Sequence, residues 1–107
     1  MRFVVSVDLG QKQDFSALSI IERKQKMLDP WKEEKNVWKE DADMRPRIET
    51  RYEVRYLHRW PLNTPYDDIA ARVSDIVHNP QLDSDVHLII DGTGVGAGVV
   101  ELFRQHD

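Results

Sequence analysis

The chain contains no cysteine. Disulfides, zinc-thiolate centres and thiol nucleophiles are therefore excluded. It has no apolar run near the roughly 20 residues that a membrane-spanning helix needs. A basic-then-apolar leader pattern is missing as well. So is an excess of positive charge: 15 Lys and Arg stand against 19 Asp and Glu, a formal net charge of −4. Nucleic-acid binders are usually basic, but one that meets phosphates through bound cations need not be. No Walker-type phosphate loop ending in Lys-Ser or Lys-Thr occurs. The four histidines are scattered, with none at a spacing that suits a serine-type triad. These absences leave a soluble, intracellular, cytoplasmic chain as the expectation. With 107 residues it reads as one domain, 1–107, with a modest core.

What is present centres on two aspartates. Asp8 closes the apolar run Phe3-Val4-Val5-Ser6-Val7, and Asp91 closes Val86-His87-Leu88-Ile89-Ile90. Runs this short and this rich in Val and Ile read as buried strands. An acid ending a buried strand is costly unless something binds it. If the two strands are parallel neighbours, both carboxylates emerge at the carboxyl edge of one sheet, where open α/β sheets place ligands. Adjacent carboxylates repel, and a divalent cation between them removes that penalty. Mg²⁺ or Mn²⁺ suits such oxygen ligands. Two ions about 4 Å apart can activate water and stabilise the leaving oxygen in phosphodiester cleavage. The plainer reading is that each aspartate only caps a turn.

Other elements follow from the pattern. Residues 15–21 read as a second strand in a hairpin with residues 3–8. Residues 22–50 hold eight basic and eight acidic residues without a sustained apolar period. They read as a charged, flexible insertion with a short helical piece near 30–40. Residues 51–60 alternate, with Tyr52, Val54, Tyr56, His58 and Trp60 facing a core and Arg51, Glu53, Arg55, Leu57 and Arg59 facing out. Thr64 suits an N-cap and Pro65 a first helical position. Ile69, Val73, Ile76 and Val77 then recur at helical spacing until Asn79-Pro80. Residues 86–90 form a fourth strand, a glycine turn follows over 92–96, and a second helix begins at Ala97. The order β-β-β-α-β-α predicts an α/β fold with a mixed sheet.

Several residues around the aspartates carry two readings. Gly92 and Gly94 bring backbone close to a phosphate, or simply allow tight packing of helix on sheet. Asp14 is an accessory acid or a turn residue. Thr93 and Ser16 bring hydroxyls near the pair. Arg51, Arg55 and Arg59 make a stripe that could track a phosphate backbone, or an ordinary solvated strand face. His87, on a strand read as buried, fits a satisfied core residue.

Three segments together resemble a known family. They are Val7-Asp8-Leu9-Gly10, Asp14-Phe15-Ser16-Ala17-Leu18, and Ile90-Asp91-Gly92-Thr93-Gly94-Val95-Gly96-Ala97-Gly98-Val99-Val100-Glu101-Leu102. They are similar to the C-terminal nuclease domain of phage terminase large subunits, which package viral DNA and cut it to length. The resemblance covers both ends of the chain but not the charged insertion. It implies a ribonuclease H-like three-layer fold and a two-metal endonuclease acting on double-stranded DNA with Mg²⁺ or Mn²⁺. Asp8 would be the central-strand ligand and Asp91 the ligand from the neighbouring parallel strand, with Asp14 an accessory acid. It also implies an ATPase motor domain and other packaging proteins as partners, in a bacterial host cell or encoded by a prophage. That family supplies a further acid from a late helix beyond a fifth strand. Asp107 comes too early to be it, so the chain reads as truncated before those elements. Two alternatives remain open: an actin- or sugar-kinase-like ATP-binding domain, and a non-catalytic docking module.

Overall fold

A computed structural model describes residues 1–11, 13–28 and 47–105. Its elements are β1 (Phe3–Asp8), β2 (Ala17–Leu28), β3 (Arg47–Arg59), α1 (Tyr66–Val77), a 3₁₀ turn (Pro80–Leu82), β4 (Val86–Asp91) and α2 (Ala97–Gln105). The architecture is α/β: one four-stranded mixed sheet in the order β3-β2-β1-β4, with two helices. β1 runs antiparallel to β2 and β2 antiparallel to β3, whereas β1 and β4 are parallel. No described helix is long and apolar enough to cross a membrane.

One face of the sheet holds the core. Phe3, Val5 and Val7 alternate inward from β1, and Leu18 joins them from β2. Ile69, Ala70, Val73 and Ile76 project from α1 at helical spacing onto the same cluster, and Phe103 enters it from α2. The opposite face carries Val4, Ser6, Asp8, Ile89 and Asp91, and no described helix covers it. Ile89 and Leu57 are exposed there. Both described helices pack on the same face of the sheet.

The strands differ from expectation in length and burial. β2 runs on to Leu28 and β3 begins at Arg47, so 22–28 and 47–50 belong to the sheet and not to an insertion. Direct partners there are like-charged, Glu22 opposite Glu53 and Lys24 opposite Arg51, so the charges are balanced by neighbours across the diagonals of the ladder. Lys24 bridges to Glu53 at 3.2 Å. The helical piece expected near 30–40 lies outside the described residues. β3 is an edge strand, and its aromatic face is not core. Tyr52 is 68% exposed, Tyr56 and Val54 are exposed as well, and only the following Trp60 is buried. A register shift between Ile20 and Ile21 leaves Arg55 without a cross-strand partner, so Val54 and Tyr56 fall on opposite faces.

Candidate functional site

The β1–β4 ladder ends with Asp8 and Asp91 as direct register partners. The Leu9 amide donates to the Asp91 carbonyl at 3.0 Å, which carries the pairing one residue further. Neighbouring strands lie about 4.8 Å apart, so the two carboxylates leave the same sheet edge on the same face. With Ser6, Ala17, Ser19 and Leu57 they line a shallow hollow of about 280 Å³.

The strand ends that carry the pair are not buried, contrary to expectation. Both aspartates are exposed to solvent, because they lie on the uncovered face. Desolvation does not force a ligand on them; what remains is the adjacency of two like charges. His87, on the same face of β4, is likewise exposed and is not a core residue.

The local chain fixes Asp91 more firmly than Asp8. Thr93 donates to Asp91 Oδ1 twice, from its hydroxyl at 2.7 Å and from its amide at 3.1 Å. The hydroxyl bond foremost, then the amide bond, holds the Asp91 carboxyl below the usual aspartate range. Oδ2 of Asp91 and the whole carboxylate of Asp8 have no partner among the described residues. The set suits a hard divalent cation: oxygen donors, negative, side by side and open to water.

The glycine turn is largely self-occupied. Val95 donates its amide to the Gly92 carbonyl at 3.1 Å, and Thr93 spends its own on Asp91. Gly94, at φ 85°, presents its carbonyl to Gln11 Nε2 at 3.1 Å. That bond ties the β4–α2 turn to the β1–β2 turn. A side chain on Gly94 would collide with Gln11.

Other expected residues stand apart from the pair. Asp14 lines a separate hollow with Gly10, Asn63 and Tyr66. Among the described residues no group of three or more His, Asp or Glu gathers as a metal cluster. Ser16 is buried, with its hydroxyl accepting from the Gly10 amide at 2.9 Å. The arginine stripe is engaged within the fold. Arg51 contacts Glu49 at 3.5 Å, Arg55 binds Glu22, and Arg59 lies 4.2 Å above the Phe15 ring.

Sequence reasoning missed Glu22 altogether. It had been assigned to the insertion, yet it is 2% exposed on the helix-covered face. It accepts from Arg2 Nε at 2.8 Å and from Arg55 Nε at 2.8 Å and Nη2 at 2.6 Å. These bonds, Arg55 foremost, hold its carboxyl below the usual range against the opposing effect of burial. A signal existed: position 22 continues the inward set Leu18, Ile20, so a charge there demands partners. No family model matches the chain, and no curated protein matches it either.

Proposed function

We propose that the chain is part of a metal-dependent phosphodiester hydrolase, an endonuclease domain of the phage terminase large-subunit type with a ribonuclease H-like fold. The observation that carries the reading is the register partnership of Asp8 and Asp91 at the carboxyl edge of β1 and β4. The resemblance asks for one acid on a central strand and another on its parallel neighbour. β1 is central in the sheet, and β4 is its parallel neighbour.

In this reading Asp8 and Asp91 hold Mg²⁺ or Mn²⁺, which supplies an activated water and charge stabilisation for the leaving oxygen. The chain itself contributes position. Parallel pairing sets the separation of the two carboxylates, and Thr93 fixes one Asp91 oxygen while leaving the other available. The substrate would be double-stranded DNA, meeting an open sheet face. The ATP-binding alternative draws less support, because Thr93 and Val95 spend their amides inside the turn that would have to cradle phosphate.

The test reads the metal directly. Mn²⁺ titration followed by electron paramagnetic resonance should show binding that Asp8→Asn and Asp91→Asn each weaken about tenfold or more. Nicking of supercoiled DNA in Mn²⁺ should fall in the same variants. Absence of Mn²⁺ binding at millimolar concentration would sink the reading and leave a docking module in its place.

A further inference from the structure

A third cavity, of about 490 Å³, opens on the helix-covered side at the other end of the sheet. It lies by the start of β1, a full strand length from Asp8. That volume falls in the range of small-molecule sites. Its apolar lining comes from Phe3, Ile20, Ile76 and Leu82, with the Tyr56 ring beside them. Three guanidiniums also line it: Arg2 from the chain start, Arg55 from the register shift in β3, and Arg72 from α1.

Glu22 gives this cluster its form. Replacing a buried ion cluster with well-packed apolar residues is often neutral or stabilising. Stability alone therefore does not explain a buried carboxylate at a position that alternation assigns to the core. Its effect is to hold two guanidiniums in place. Arg55 spends Nε and Nη2 on Glu22, leaving Nη1. Arg2 spends Nε on Glu22 and Nη1 on Asp83, leaving Nη2. Glu53 and Lys24 complete the network. Within it Arg2, Arg55 and Lys24 balance Glu22, Glu53 and Asp83. Arg72 makes no ion pair within hydrogen-bonding reach among the described residues, although Asp68 and Asp75 lie one turn to either side of it on α1, so its guanidinium keeps its donors for a ligand.

We propose that this cavity binds a small organic anion, its oxyanion head held by Arg72 beside the fixed guanidiniums of Arg55 and Arg2, its apolar body on Phe3, Ile20 and Ile76. Planar oxyanions suit guanidinium donors, which bind them in paired hydrogen bonds. The site is independent of the aspartate pair, being at the opposite end and on the opposite face of the sheet.

Titration calorimetry of the whole chain tests this with three probes that share a ring: phenyl phosphate, phenylacetate and neutral benzyl alcohol. The two anions should bind at millimolar concentration or below, and the tighter one identifies the head group. Benzyl alcohol should bind at least about tenfold more weakly, as should either anion to Arg72→Gln, since a charged hydrogen bond is lost. Arg72 is exposed and Gln is a good helix former, so the variant keeps its fold, as circular dichroism can verify. Asp8→Asn should bind the anions unchanged. The proposal is overturned if neither anion binds, if the alcohol matches them, or if Arg72→Gln retains full affinity.

Discussion

Gly10 has no room for a side chain. A β-carbon there would lie 2.3 Å from the Asp14 carbonyl oxygen and 2.6 Å from that of Phe15. Both are backbone atoms, which cannot swing aside. The turn is also bound at Gly10 from two sides, by Ser16 on its amide and by the Tyr66 hydroxyl on its carbonyl at 2.6 Å. Gly10→Ala should therefore cost about 2–3 kcal/mol. Thermal unfolding should show this as a fall in Tm of roughly 10–20 °C. Thr93 offers a gentler test. Its hydroxyl is the foremost cause of the depressed Asp91 pKa. Carboxyl NMR titration of Thr93→Val should show Asp91 moving up toward the ordinary value of 3.8. An unchanged titration would mean that the hydroxyl does not hold Oδ1.

At the scale of elements, the two faces of the sheet predict opposite responses to the same substitution. Leu18 packs against the core, whereas Leu57 on the open face is 71% exposed. Leu18→Ala should cost about 2–4 kcal/mol, and Leu57→Ala less than about 0.5 kcal/mol. Denaturant unfolding of both variants compares them directly. This contrast also marks where sequence reading stopped. β1, α1, β4 and α2 were legible, because each buries one stripe and the spacing of Val, Ile and Leu records it. The pairing of Asp8 with Asp91 was legible only as a condition: a helical crossover suggests parallel strands, but that β1 and β4 are neighbours in register comes from the ladder itself. The state of β3 was not. Alternation shows that a strand has two faces but not that either is covered, and the bulge at Arg55 puts Tyr52 and Val54 on the open face and Tyr56 on the other, at an edge where all three are exposed. Thr64 was misplaced by one position: it bonds back to the Pro61 carbonyl, and Pro65 takes the cap with no side-chain bond. The continuation of β2 through 22–28 was hidden because its charges, the buried Glu22 among them, are balanced by partners distant in sequence, on β3 and at Arg2.

For the molecule as a whole, the buried Glu22 cluster makes stability depend on pH. Its carboxyl is held below the ordinary glutamate value of 4.5. A depressed acid stabilises the fold fully above its unfolded pKa and loses that contribution as pH falls through the folded one. Glu22→Gln should thus be less stable than the parent at neutral pH, with the gap closing below about pH 4. Arg2 and Arg55 are half exposed, so water and salt screen the effect and added salt should narrow the gap. Urea unfolding from pH 7 to pH 3 reads both trends. A gap that is constant across that range would mean that the charge on Glu22 contributes nothing.

The meeting of Asp8 with Asp91 has an evolutionary corollary. Their juxtaposition is written in a hydrogen-bonding ladder, so it does not depend on the length of the loops that join the elements between them. Residues can be gained or lost in those loops without moving the two acids apart, provided β1 and β4 keep step. A slip of a single position would send one carboxylate through to the other side of the sheet. Selection on such a pair would therefore act on the phase of two short strands and on the elements packed against them, and would leave the joining loops free to diversify.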